Sequence, residues 1–365
     1  MLWRGVLIYM EKKKRVLLGM SGGVDSSVAA VLLKEAGFDV VGITMNLHEV
    51  KLDGCCCNLS SIEDSKRVCD FLEIPHYTVD FHKEFEEHVI QDFICEYKKC
   101  RTPNPCIECN KFLKFGAMYQ KAKDLNCDYI ATGHYAKIEF DEKYQKKVLK
   151  KSKAGKKDQS YVLYSISKDL IDNIVMPLCD FENKAEIRKI AEEYNLPVAK
   201  KPDSEDICFI PDGNYKKFLE ENSDIKAKEG NIINSEGKIL GKHNGLYRYT
   251  IGQRKGLGIS NPVPLFVIGF NEEENEVIVG EEKELYKEEF EVEQINWLLF
   301  DELKEDMEVK VKVRYASEPA KCTIIPQETG VKVLLKEPQR AITPGQSAVF
   351  YIDDVVVGGG KIKLL

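Results

Sequence analysis

At 365 residues, with 43% hydrophobic and 31% charged content, the chain exceeds the usual single-domain size and is expected to fold as two or three domains with substantial cores. No stretch approaches the roughly 20 apolar residues that a membrane-crossing helix needs, and a net charge of -7 argues against indiscriminate nucleic-acid binding. The apolar run from Leu2 to Tyr9 is followed by Lys12, Lys13, Lys14 and Arg15, the reverse of a secretory signal, so the expected setting is cytoplasmic with no membrane partner, and Met10 is an alternative to Met1 as first residue.

Along the chain, Arg15 to Met20 reads as a buried parallel strand, the glycines after it as a turn, Asp25 to Ala36 as a helix ending at Gly37, and Val40 to Met45 as a second strand. Strand, helix and strand in that order imply a right-handed crossover and a parallel sheet. The spacing then predicts a helix over Glu63 to Leu72, a strand over Tyr77 to Asp80, helices over Glu84 to Lys98 and Phe112 to Leu125, and a short strand over Tyr129 to Thr132. This alternation describes an α/β fold, a doubly wound parallel-sheet N-terminal domain over 10–214, with ligands at the carboxyl ends of its strands. Lys143, Lys146, Lys147, Lys150, Lys151, Lys153, Lys156 and Lys157 read as a flexible solvated loop or a phosphate-contacting patch. From Tyr215 shorter, glycine-punctuated segments suggest a small central linking domain over 215–287, whose Gly252-Gln253-Arg254-Lys255-Gly256 is either a turn near substrate or a hinge. Beyond residue 288, apolar and charged residues alternate, as in Met307 to Tyr315, and a small antiparallel β-barrel over 288–365 is the natural solution.

Two features carry chemistry. Ser21-Gly22-Gly23-Val24-Asp25-Ser26-Ser27 lies between a strand and a helix, where glycines admit an anion to backbone amides, the helix N-terminus adds positive potential, and hydroxyls can donate. It points to ATP, with Asp25 a candidate for holding Mg2+. No Walker motif is present. The string resembles the pyrophosphate loop of the ATP pyrophosphatase superfamily, whose members form adenylated intermediates and whose adenine nucleotide α-hydrolase-like fold hosts several chemistries. The second feature is thiol placement. Twelve cysteines in a reducing compartment do not make a disulfide scaffold. Cys106, Cys109 and Cys208 sit in distinctive segments, with Cys100 a doubtful neighbour, and a thiolate or persulfide can attack an activated carbon. Cys109 and Cys208 are the best pair, each in a loop flanking a helical segment. Cys55, Cys56 and Cys57 read as surface or loop residues; Cys69, Cys95, Cys127, Cys179 and Cys322 read as core.

Ser21 to Ser27, Thr102 to Pro105 with Cys109 to Lys111, Ala131 to Tyr135, Lys157 to Gln159, Asp203 and Ser204 with Cys208 to Ile210, Thr250 to Gly256, and Arg314 and Tyr315 with Gly345 and Gln346 together resemble the tRNA-specific 2-thiouridylases, in order through nearly all the chain from Lys14. The resemblance implies ATP-dependent thiolation of the wobble uridine (position 34) at C2 in tRNAs for lysine, glutamate and glutamine. The sequence does not reveal the sulfur donor, for which a cysteine desulfurase, acting directly or through a relay protein, is the expectation. The resemblance implies ATP contacts at Gly19, Met20, Ser21, Gly22, Gly23, Val24, Asp25, Ser26, Met45 and Gly133. Cys109 becomes the nucleophile and Cys208 the persulfide carrier, with Asn104, Pro105 and Cys106 beside the target base. His134, Lys157, Asp158, Gln159, Arg314, Tyr315 and Gln346 fall near tRNA. From its charge density, the run from Lys143 to Lys157 is expected to be a flexible loop that orders when tRNA binds.

One departure matters: many bacterial members carry Asp at the position of Cys106. The result, Cys106-Ile107-Glu108-Cys109 with Cys208 as a third thiol, would also suit a [4Fe-4S] cluster whose open iron binds hydrosulfide, and this carrier is preferred to the persulfide. Zinc with Cys100 or Cys55 would need a fourth ligand. A different adenylating ligase and a non-catalytic RNA-binding protein remain as alternatives.

Overall fold

A computed structural model of the chain describes residues 13–47, 59–202 and 207–363. Two compact units divide it. The first takes the chain up to residue 88, then 106–213 and 354–356; the second takes 89–105, 214–353 and the chain from 357 onward.

The first unit is built on a five-stranded sheet. Its strands are β1 (Arg15–Gly19), β2 (Asp39–Asn46), β3 (His76–Asp80), β4 (Tyr129–Ala131) and β7 (Ile174–Val175), in the order β3-β2-β1-β4-β7. Every adjacent pair is parallel. Such a sheet is covered on both faces, which explains why Val16, Leu17 and Leu18 are consecutive apolar residues, all at 0% exposure. Helix α1 (Val24–Glu35) buries Val24, Val28, Ala29, Ala30, Val31 and Leu33, and ends at Gly37, whose φ of +87° an L side chain rarely adopts. Gly37 N donates to Lys34 O and Phe38 N to Leu33 O, the paired bonds that close a helix through a left-handed glycine. Helix α2 (Leu59–Phe71) precedes β3.

Two helical runs are longer than their apolar spacing suggests. One combines α3 (His82–Phe85), a π-helical turn (Glu86–Ile90) and α4 (Gln91–Lys98); the other combines α5 (Pro105–Glu108), a π-helix (Cys109–Ala117) and α6 (Met118–Asp124). Pro105 stands at the first helical position, where its missing N–H costs nothing. Cys106 and Cys109 therefore lie inside a helical run rather than in a loop before one.

The expectation of a flexible lysine loop is overturned. Strands β5 (Lys137–Asp141) and β6 (Lys146–Lys150) form an antiparallel hairpin. Asp141 accepts from Lys143 N at the turn, and Val148 and Leu149 are buried. Lys150 stands between Glu139 at 3.0 Å and Asp141 at 2.7 Å. Gly155–Lys157 then forms a 3-10 turn. Burial of the two apolar residues and neutralisation of the central lysine fix what charge density alone reads as disorder. Cys95 is likewise a correction: it is exposed on the solvent face of α4. Helix α7 (Lys184–Glu193) completes this unit, its Asn183 cap accepting from Glu186 N.

In the second unit α8 (Tyr215–Asn222) leads into a four-stranded sheet, β8 (Glu229–Asn234), β9 (Ile239–Asn244), β10 (Phe266–Asn271) and β11 (Glu276–Gly280), ordered β10-β11-β8-β9. Ile232, Leu257, Val267, Val277 and Val279 form its core. Strands β12 (Tyr286–Trp297), β13 (Met307–Lys312), β14 (Ala320–Gln327), β15 (Gly330–Arg340), β16 (Ser347–Ile352) and β17 (Val355–Lys363) follow as an antiparallel barrel ordered β12-β15-β14-β13-β16-β17, closed by β12 on β17. Its alternating sequence works as expected: Val309, Val311, Val331 and Val333 point inward between exposed or half-buried charged residues.

Candidate active site

The sheet order turns back at β1, since β2 lies on one side and β4 on the other, and in such folds ligands bind beyond the carboxyl ends of the strands at this switch point. Gly19 through Ser26 run from the carboxyl end of β1 into α1 at this point. Met20 N is held by Ile43 O at 2.7 Å, and Met20 O accepts from Thr44 Oγ1 at 3.0 Å. Ser26 Oγ accepts from Ser21 N at 3.2 Å and lies 3.2 Å from both Gly23 O and Ser21 Oγ; Ser27 Oγ donates to Gly23 O at 2.8 Å. The two serines thus brace the loop from within. Gly22 has φ +67°, and a Cβ there would fall 2.4 Å from Ser61 O. A Cβ on Gly133, after β4, would fall 2.9 Å from Ser26 N. Glycine at these two positions lets the backbone of α1's first turn be approached from two sides. Met45 is half-buried at the carboxyl end of β2.

The loop's surroundings contain residues that motif reading misses. Asp25 accepts from Tyr135 Oη at 2.7 Å and from Lys184 Nζ at 2.5 Å. Lys201 Nζ reaches Gly22 O at 3.0 Å and Asp64 at 2.6 Å. Burial alone would raise the Asp64 carboxyl, but Lys201 and Arg67 outweigh it and hold the group below the usual carboxylate value. Tyr135 could have been flagged by its place two residues after Gly133. Lys184, Lys201 and Asp64 carry no local signal, because only folding brings them to the loop.

Of the thiols, Cys109 is buried at the start of the π-helix, Cys208 is half-buried and Cys106 is exposed. Phe209, beside Cys208, packs edge-on against Phe85 with centroids 5.7 Å apart, and Phe112, three residues after Cys109, stacks on His88 at 4.3 Å. The two thiol-bearing segments thus rest on one short helical stretch, through residues three apart. Burial pushes the Cys69, Cys100, Cys179 and Cys322 thiols up to about 12 and Cys127 to about 11. At neutral pH these remain protonated and inert. Among the described residues no group of three or more His, Cys, Asp or Glu side chains could hold a metal ion. Cys106, Cys109 and Cys208 are thus not gathered as a ligand set among the described residues, Cys106 being exposed one turn from the buried Cys109. Cys55, Cys56, Cys57, Asp203 and Ser204 lie outside the described residues.

The residues expected near RNA have diverse settings. Lys157 is exposed. Asp158 is buried and accepts from Ser152 N at 2.9 Å and Ser160 Oγ at 2.7 Å; Gln159 Oε1 accepts from Tyr135 N at 2.9 Å. These two side chains shape the turn beneath Lys157. His134 is also buried, with Nδ1 2.7 Å from Thr132 Oγ1, and burial holds it well below the usual histidine value. In the second unit, Asn104 and Tyr315 are half-buried and Pro105 is buried. The Arg314 guanidinium donates to Ala341 O at 2.8 Å, Ile251 O at 3.3 Å and Thr343 Oγ1 at 2.6 Å. Gln346 Nε2 donates to Thr102 O at 2.9 Å.

Three domain models match in succession: the tRNA methyl transferase HUP domain over residues 14–212, the tRNA methyl transferase PRC-barrel domain over 216–281, and the aminomethyltransferase beta-barrel domain over 287–362. A tRNA-specific 2-thiouridylase from Clostridium beijerinckii is 50% identical over 358 residues, covering 96% of this chain and 99% of that protein. One from Clostridioides difficile is 46% identical over 360 residues, covering 97% and 99%. Among solved structures, a U34-tRNA thiolase from Methanococcus maripaludis with its [4Fe-4S] cluster aligns over 58% of this chain and 69% of that one, with 21% identity and a TM-score of 0.36, too loose a likeness to bear on mechanism. On nearly full-length identity near one half, this chain belongs to the family of tRNA-specific 2-thiouridylases.

Proposed function

We propose that the chain is an ATP-dependent tRNA-uridine 2-sulfurtransferase that thiolates the wobble uridine of tRNAs for lysine, glutamate and glutamine in the cytoplasm, releasing AMP and pyrophosphate. The observation that carries this reading is the braced nucleotide loop in the same unit as a buried Cys109 and a half-buried Cys208. A uridine C2 oxygen is a poor leaving group. Its attack on the ATP α-phosphorus expels pyrophosphate and leaves an adenylated base, with Gly19 to Ser26, Met45 and Gly133 lining the nucleotide. The terminal sulfur of a Cys208 persulfide then attacks C2 and AMP departs with the oxygen. Attack by the Cys109 thiolate on the inner Cys208 sulfur cleaves the S–S bond, so the transferred sulfur stays on the base and a Cys109–Cys208 disulfide remains for reduction.

Magnesium enters with the nucleotide phosphates, and Asp25 is the carboxylate at the loop that could share it. The base must leave its stack to reach the thiols, next to Asn104, Pro105 and Cys106. Lys157 is suited to a phosphate, with Asp158 and Gln159 fixing its turn, while Arg314, Tyr315 and Gln346 are read as the barrel's contribution to tRNA and His134 as a neutral hydrogen-bonding group. A cysteine desulfurase or relay protein supplies the persulfide.

Incubation with ATP, magnesium, a persulfide source and unmodified tRNA, followed by mass spectrometry of the nucleosides, tests the reading. It expects 2-thiouridine derivatives at the wobble position and one AMP per sulfur; ATP binding without sulfur incorporation would reject it.

A further inference from the structure

The turn at Gly252 to Gly256 is a rigid platform. Ile251 and Leu257, on its two sides, are 5% and 6% exposed and belong to different apolar clusters of the second unit. Gln253 binds the turn at both ends of its amide: Oε1 accepts from Thr250 N at 3.2 Å and Nε2 donates to Lys255 O at 3.0 Å. The backbone adds Gly252 N to Val267 O at 2.8 Å and Val267 N to Gln253 O at 2.9 Å. Gly252, Gly256 and Gly258 all have φ between +68° and +88°, which fixes a path that side chains would oppose.

Two cations stand on this platform. Arg254 and Lys255 are exposed, and among the described residues neither side chain has an acidic partner. Elsewhere in this unit cations are commonly paired: Arg101 with Glu293, Arg248 with Glu220, Arg340 with Glu282, Lys332 with Glu289 and Lys361 with Asp92. In a chain of net charge -7, Arg254 and Lys255 place two adjacent cations without an acidic partner on a braced turn. The start of the same turn lies beside two further guanidinium groups: a Cβ on Gly252 would lie 4.0 Å from Arg314 Nη2 and 3.9 Å from Arg340 Nη1, the latter paired with Glu282.

We infer that Arg254 and Lys255 form a preorganised anion site on the central module that takes backbone phosphates of the tRNA, continuous with Arg314. Arg supplies a planar fork for two phosphate oxygens and Lys a point charge, while a turn already ordered before binding avoids the entropy of fixing a loop. Such contacts set register and affinity without reading sequence. The inference rests on the tRNA reading above and adds a contact on the linking module.

The test measures the tRNA dissociation constant from 50 to 200 mM KCl for the full-length protein, for R254Q/K255Q and for the charge-retaining R254K/K255R. Removing two phosphate contacts is expected to reduce the slope of log affinity against log salt by about 1.4 to 1.8. The charge-retaining variant should keep the parent slope, and both variants should keep kcat at saturating tRNA and the KM for ATP. An unchanged slope in R254Q/K255Q overturns the site, as does a rise in the ATP KM with no change in tRNA binding, which would assign the cations to the free nucleotide. If R254Q/K255Q does not fold, the single K255Q variant must lose about half the slope change, and no loss overturns the site. Failure of the parent protein to bind or thiolate tRNA would instead reject the functional reading itself.

Discussion

At the residue scale, the decisive contrast is between Cys109 and Cys106, three positions apart on one helical run, the first buried and the second exposed. Replacing Cys109 or Cys208 with serine removes the resolving thiol or the carrier, and should lower thiolation at least a thousandfold, as loss of a covalent nucleophile does. Adenylation, followed as tRNA-dependent pyrophosphate release, should survive both. Cys106→Ser should keep the parent order of activity, with no response to added iron. Its inactivation together with iron-dependent recovery would restore the cluster as the sulfur carrier. Gly22→Ala is the sharpest test of the loop. It combines a left-handed φ of +67° with a Cβ 2.4 Å from the Ser61 carbonyl, so the backbone must move. Strain of this kind costs about 1–3 kcal/mol. We expect a fall in thermal midpoint together with loss of ATP binding by calorimetry; parent-like nucleotide affinity would contradict the role given to the loop.

At the element scale, Lys201 joins the loop at Gly22 O to α2 at Asp64. A charge-assisted hydrogen bond contributes about 1.5–3 kcal/mol. Lys201→Met should therefore raise the KM for ATP on the order of tenfold or more, and Lys201→Arg should recover part of it. Equal effects on kcat and KM in both variants would mean that the residue acts through general stability instead. The β5–β6 hairpin gives the opposite lesson. A stretch dense in lysine is ordered because Val148 and Leu149 are buried and Lys150 meets two carboxylates, so the charge at its centre is compensated within the fold.

For the whole molecule, His76, His134 and His243 share one property: burial holds each below its usual value. The unfolded chain then takes up protons that the folded chain refuses. Stability from these groups is fully present above the unfolded histidine value of about 6.5 and is lost as pH falls through it toward the depressed folded values. Each group can contribute at most about 1.4 kcal/mol per pH unit in that window. Urea midpoints should fall between pH 7.5 and 5.5, and His134→Gln, which keeps a hydrogen bond to Thr132 without a titrating ring, should reduce the drop. A midpoint that rises on acidification would oppose this assignment.

What the sequence determined by itself was local and periodic. Consecutive apolar residues in β1, the glycine that ends α1, the serine and glycine string between them, and the alternating valines of the barrel are each encoded within a few residues of where they act. Tertiary structure alone decided which groups meet. It brought Lys184 to Asp25 and Lys201 to Gly22 across 159 and 179 residues of chain, buried Cys109 while leaving Cys106 in solvent, and ordered the lysine hairpin. The physical reason is that a residue's type and spacing set its own backbone preference, whereas burial and charge pairing depend on distant segments that only folding selects.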